Sequence, residues 1–337
     1  MRQIFLGVII FSVLTTCSKK ENQPLEREIL GLSDPTQIFT ITSDKVDTIE
    51  AKNGTRLIIQ PNVFVFNDGQ DVKESIQLEL TEVFDKSDII LNGLGTLSDG
   101  RLLESFGMIY LSATSEGKEL KLKENSSIAV SIPNKRKGAA GELFYGLRTD
   151  SVVNWKYAGT TKDTTEVVET YTQLSDSLSI KSTTYKFVDG KRQFVSDSTY
   201  KVRGQFDITE GGGKFELPIF YEFEIKNLGW INCDRFIEIV DKADLEIELK
   251  TFNRAIGYLV FADINSVMWL TFNEKGIAAV ENLPNDYSAD LIVIDKIDKS
   301  YMWTKQNLKI GAVSKITLET KKINKEELKT ELKSLDR

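Results

Sequence analysis

The chain has 337 residues, with 43 Lys plus Arg against 50 Asp plus Glu, a formal net charge of −7, two cysteines and no histidine. The acidic balance argues against nucleic acid as a partner, because that affinity needs a clustered basic surface that releases counterions. The missing histidine removes Ser-His-Asp, Cys-His and His-based zinc chemistry, while the length allows two domains of ordinary size.

Arg2 leads into an apolar run from Ile4 to Leu14. At about 1.5 Å rise per residue this run is too short to cross a hydrocarbon core about 30 Å thick as a helix, so residues 1–16 read as a secretory signal peptide. Leu14-Thr15-Thr16-Cys17 resembles the bacterial lipobox, with Leu three residues before the cysteine and Thr16 where a smaller residue is usual. The resemblance implies cleavage before Cys17, lipidation of its thiol, and stable membrane anchoring by two or more acyl chains. With Cys17 acylated only Cys233 remains, so no intramolecular disulfide can form. Residues 17–37 are polar, broken by Pro24 and Pro35, and read as a tether with room for one helical turn around Leu25–Leu32.

Between residues 38 and 135 short apolar runs follow one another: FTIT, TRLIIQP, VFVF, IQLELTEVF, MIYLSAT and SIAVSIP. Ile76, Leu78 and Leu80 alternate with Gln77, Glu79 and Thr81, the period of a half-buried strand. Asn53-Gly54, Asp68-Gly69, Asp99-Gly100 and Glu116-Gly117 supply the turns. Such spacing predicts an antiparallel β-sandwich. The succession NGTRLIIQPNVFV, SIQLELTEVFDKSDII, GTLSDGRLLESFGMIYLSAT and GKELKLKENSSIAVSIP resembles the ZU5-type module found in envelope lipoproteins of Bacteroidota. That resemblance implies an interaction or scaffold module without a cofactor. Some eukaryotic members cut themselves at a His-Phe-Ser sequence; the comparable Ser105-Phe106-Gly107 lacks the histidine and the nucleophile, so self-cleavage does not carry over.

Residues 136–204 read as a connector followed by a Ser/Thr-rich, solvent-facing β-extension, with Asp189-Gly190 offering a hairpin turn. From 205 to 322, runs such as KFELPIFYEFEI, ADLEIELKTF, AIGYLVFADI, SVMWLTF and ADLIVIDKI again alternate and predict a second sandwich. Residues 323–337 place Asn324 and Glu327 in capping-box spacing, with Leu328, Leu332 and Leu335 on one helical face. The expected fold is all-β: two antiparallel sandwiches, the extension between them and a short C-terminal helix.

No stretch names a substrate. Cys233 beside Trp230, Asp234 and Arg235 has no histidine to activate it, and reads as a packed thiol. Gly93-Leu94-Gly95 lacks the third glycine of a dinucleotide loop and reads as a turn. Asp68–Asp71 and Asp85–Asp88 lack the acidic ladder of a calcium loop and read as turns. Asp followed by Ser or Thr and then a small or apolar residue or Thr resembles the O-glycosylation acceptor of Bacteroidota, which makes Thr48, Ser151, Thr164, Ser177 and Ser198 candidate sites. These features predict a non-enzymatic lipid-anchored envelope protein, a scaffold or binding subunit of an outer-membrane assembly. Its partners would be the membrane, through Cys17, and an envelope protein. The alternative is a glycan-binding lipoprotein presenting Trp230, Trp269 or Trp303. A hydrolase would need two carboxyl groups about 5–10 Å apart in a cleft.

Overall fold

The computed structural model describes Leu25, Ile29 and residues 31–134, 141–149, 152–158, 165–173, 177–188, 191–203, 219–298 and 300–336. Among these residues strands dominate, as expected, and they form four sheets stacked one on the next with an apolar core in each of the three gaps.

The first sheet runs Lys191–Arg203, Ser177–Val188, Thr165–Gln173, Ile219–Ile225, Ile128–Asn134, Arg56–Ile59, Asp47–Glu50. The second runs Gln37–Ile41, Ile76–Val83, Arg101–Ser115, Gly229–Phe236, Glu142–Thr149, Val152–Tyr157. Between them, Leu57, Ile128, Ile132 and Tyr221 of the first sheet are fully buried in one core with Leu78, Leu80, Leu111 and Ile231 of the second. The third sheet runs Val267–Thr271, Ile256–Phe261, Ser288–Ile297, Ser300–Lys309, Lys321–Ile323, and the fourth runs Ile277–Pro284, Lys242–Leu249, Lys315–Leu318. The last pair, Lys242–Leu249 with Lys315–Leu318, is parallel, where an antiparallel sandwich was expected.

Period-two geometry explains how two of these sheets are buried on both faces. In Ile256–Phe261, Ile256, Tyr258 and Val260 enter the middle core while Leu259 and Phe261 enter the core beside the fourth sheet. Ile292 and Ile294 divide from Leu291 and Val293 in the same way. In the second sheet, Leu143 faces the first core and Phe144 the middle one. The middle core therefore joins what the sequence presents as two separate sandwiches.

Strand pairing also redraws the expected boundaries. Glu142–Thr149 and Val152–Tyr157, expected in the connector, belong to the second sheet. Ile219–Ile225 and Gly229–Phe236, expected in the second sandwich of 205–322, pair instead with Ile128–Asn134 and Arg101–Ser115 of the first. The division falls after Phe236. Residues 17–37 were expected to be a tether, yet Leu25, Ile29 and Leu32 are buried in the middle core with Leu328, Leu332 and Leu335. A four-residue spacing puts Leu25 and Ile29 on one helical face, which enters the same core as the apolar face of the C-terminal helix.

The Ser/Thr-rich extension is joined to the body by three paired positions, Thr165–Val167 against Phe220–Glu222. Beyond them it continues as two long hairpins, and Val188 pairs with Lys191 across the expected Asp189-Gly190 turn, which itself lies outside the described residues. The C-terminal helix Lys325–Lys333 carries the capping box read from Asn324 and Glu327. A second helix, Lys86–Leu91, occupies the stretch expected to be a turn and buries Ser87, Ile89, Ile90 and Leu91.

Candidate functional site

The chemistry-bearing residues of the interior gather where the second sheet meets the loops of the third. The register between Arg101–Ser115 and Gly229–Phe236 shifts at Cys233/Asp234: Cys233 pairs with Gly107 and Asp234 with Ser105, leaving Phe106 as the extra residue of a bulge. Position 107 leaves no room for a side chain, since a Cβ there would lie 2.6 Å from the Phe84 ring and 2.9 Å from Ile132. The bulge places Ser105, Asn232 and Asp234, all fully or almost fully buried, around one point. Asn232 Nδ2 donates to Asp234 Oδ2 at 2.5 Å, and Ser105 Oγ donates to Asn232 Oδ1 at 3.2 Å. Asp234 Oδ1 is buried without a hydrogen-bond partner. Burial lifts the Asp234 carboxyl well above the usual carboxylate range; the polar groups of Ser105 and Asn232 and the Phe106 amide oppose the shift, and the charge of Glu104 adds to it.

Cys233 points to the opposite face, into the first core, at 2% exposure. Burial also pushes its thiol up, with Asp234 and Glu142 adding negative charge nearby, so the thiolate needed for nucleophilic attack is disfavoured. Glu104 is buried and bonded by Arg235 at 2.6–2.7 Å.

A second polar seam lies alongside. Asn265 Nδ2 donates to the carbonyls of Phe84 at 3.1 Å and Ser105 at 3.0 Å, and the Ser105 amide donates back to the Asn265 carbonyl at 2.9 Å. Thr96 Oγ1 meets Ser266 Oγ at 2.6 Å and accepts from the Val267 amide at 3.0 Å. These buried bonds are directional, whereas apolar packing is not, so they fix the angle at which the two halves meet.

The other buried carboxylates hold backbone in place. Glu82 accepts from Gln37 Nε2 at 3.0 Å and from the amides of Asn53 at 2.8 Å and Thr55 at 3.0 Å, which locks the Asn53-Gly54 turn onto the sheet. Asp295 accepts from the amides of Asn253 at 2.8 Å and Arg254 at 2.7 Å. Neither role has a signal in the sequence, since a lone acid on an alternating strand reads as a solvated face. Trp155, fully buried, donates from Nε1 to the Gly95 carbonyl at 2.6 Å, so the Gly93-Leu94-Gly95 turn is a docking point for an indole.

Two open grooves lie away from this interior. One, about 550 Å³, is lined by Ser300, Tyr301, Lys322, Ile323, Asn324, Lys325 and Glu327. The other, about 540 Å³, is lined in part by Asp44, Asp71, Lys73 and Glu74. Glu82, Glu104, Asp234 and Asp295 line neither of them. Among the described residues no group of three His, Cys, Asp or Glu side chains could hold a metal ion, and no helix is long and apolar enough to cross a membrane.

The candidate residues from the sequence are dispersed. Trp303 is only 2% exposed and sits in the middle core, so it presents no face to a ligand; its strand is covered on that side by the second sheet and the helices. Trp269 is partly buried and meets Tyr258 edge-on at 5.1 Å. Trp230 is partly buried beside Tyr110, ring centroids 5.2 Å apart. Thr48 is exposed on Asp47–Glu50, and Ser177 and Ser198 lie on strands of the extension. Cys17, Ser151 and Thr164 lie outside the described residues. No protein-family model, curated protein or solved structure matches the chain.

Proposed function

We propose that the chain is a lipid-anchored cell-envelope protein, held at the membrane through Cys17, that acts as a scaffold or binding subunit of an outer-membrane assembly. One observation carries the reading. Leu25 is already buried in the middle core, so only eight residue steps separate the lipidation candidate from the folded body. Eight residues reach at most about 29 Å when fully extended. A lipid on Cys17 would hold the body close to the bilayer, with the side that carries Leu328 and Leu332 nearest to it. An anchored scaffold benefits from such a short leash, because it keeps binding surfaces at a defined height. The interior acids support a non-enzymatic role in that they bond to backbone or to neighbouring side chains of the fold.

The test is Cys17→Ala, followed by membrane fractionation and by incorporation of labelled fatty acid. Loss of label and release from the membrane pellet is the expected result; unchanged detergent partitioning would refute the anchor. A glycan-binding reading rests on Trp230 and Tyr110, an adjacent pair of partly exposed rings. Retention on polysaccharide columns that Trp230→Ala abolishes would favour it over the scaffold.

A further inference from the structure

A strand at the end of a sheet carries a row of backbone N–H and C=O groups that another strand can use, and proteins guard such edges with charges, prolines, twists or covering loops. Among the described residues, the ends of the four sheet paths other than Gln37–Ile41 show one of these devices. Val152–Tyr157 is covered by the Asp99 turn: the Asp99 amide donates to Asn154 Oδ1 at 3.0 Å, Asn154 Nδ2 returns a bond at 2.9 Å, and Lys156 pairs with Asp99. Val267–Thr271 is covered at its start by Thr96. Lys191–Arg203, Asp47–Glu50, Lys315–Leu318 and Lys321–Ile323 carry charged residues. Ile277–Pro284 contains Glu281 and ends on proline, with Asn282 at φ +59°.

Gln37–Ile41 carries no proline, and among the described residues no turn bonds to its open backbone edge. Its sequence, QIFTI, contains no charge, and among the described residues it pairs on one side only, with Ile76–Val83. Ile38 is 64% exposed on the outer face. Phe39 is half-buried on the inner face, packed against the rim of the first core.

We propose that this edge is a self-association surface, on which Gln37–Ile41 pairs antiparallel with the same strand of a second copy about a two-fold axis at Phe39. The second copy is the occupant that the strand's own symmetry suits. About Phe39, Ile38 falls opposite Thr40 of the other copy on the outer face, and Gln37 falls opposite Ile41 on the inner face. Two β-branched residues thus meet as a favourable cross-strand pair. The two half-buried Phe39 rings come together at the axis, each covering the side that the first core leaves open. No charged residue lies within the paired segment, and an isologous contact closes at two subunits.

Sedimentation equilibrium of the full chain in detergent should show a dimer at tens of micromolar that dissociates on dilution. A five-residue strand is a small contact beside the roughly 1,200–2,000 Å² of a stable interface. Ile38→Lys and Thr40→Lys, each at an exposed position, should weaken association at least tenfold, while Leu147→Lys, at an exposed site on another strand, leaves it unchanged. Oxidation of the Ile38→Cys/Thr40→Cys double variant should trap a covalent dimer while neither single-cysteine variant does, because a two-fold axis at Phe39 sets position 38 opposite position 40 and not opposite itself. A wild-type monomer at those concentrations would overturn the proposal. So would a dimer that both lysine variants leave intact, or a double-cysteine variant that stays monomeric on a non-reducing gel.

Discussion

Replacing Asp234 by asparagine should make the protein more stable at neutral pH and flatten its response to pH. The carboxyl is fully buried, one oxygen accepts from Asn232 Nδ2 at 2.5 Å, and the other has no hydrogen-bond partner. Desolvation holds its folded-state pKa well above the usual carboxylate range, whereas an unfolded aspartate titrates near about 3.9. Between those two values the folded protein binds a proton that the unfolded chain releases. Its contribution to stability is therefore complete below about pH 4 and is lost as pH rises toward the folded pKa, at about 1.4 kcal/mol per pH unit. The asparagine amide copies the shape of the protonated acid, keeps an oxygen for Asn232 and has no charge to bury. Urea denaturation of both proteins from about pH 4 to pH 8 isolates the effect, because the other groups that burial raises, such as Glu142, titrate alike in both. Near the acid end the two midpoints should nearly coincide, and the gap should then widen with pH in favour of the variant. A gap that stays constant over the whole range would refute the argument, since it would mean that Asp234 carries the same charge in both states.

Leu328→Ala should cost about 2–5 kcal/mol, because the side chain is fully buried in the core that also takes Leu25 and Ile29. Chemical denaturation measures this loss, and hydrogen exchange should show reduced protection around Leu25–Leu32; unchanged stability would mean that the two segments do not pack together. Limited proteolysis should cut first between Lys135 and Lys201, yet the nicked protein should elute as one body in native buffer and separate only in denaturant. The reason is that Ile219–Ile225 and Gly229–Phe236 are hydrogen-bonded into the sheets built by residues before the cut. Fragments that part without denaturant would argue for two independent sandwiches.

Local structure follows from the order of residues along the chain. Alternation along Ile76–Val83 and along Lys242–Leu249 marks strands, because successive side chains must leave a pleated backbone on opposite faces. Asn53-Gly54 marks a turn, and Gly54 adopts φ +98° where most side chains would be strained. Asn324 and Glu327 mark the start of the last helix, because the cap satisfies backbone donors within four residues of chain. Each of these signals concerns groups that meet their partners nearby in the sequence. Which strand lies beside which depends on contacts between distant segments. An alternating strand states that one face is apolar but not what covers it, so Gly229–Phe236 could not be assigned to the first sandwich in advance, nor could the middle core that buries both faces of two sheets be foreseen. The same limit hid the burial of Leu25 and Ile29, whose short apolar spacing in a polar segment gains its stability from a core shared with a helix about three hundred residues away. It also hid the polar cluster at Asp234: the bulge that brings Ser105 beside Asn232 arises from a register shift between strands more than a hundred residues apart, and register is a property of the pair.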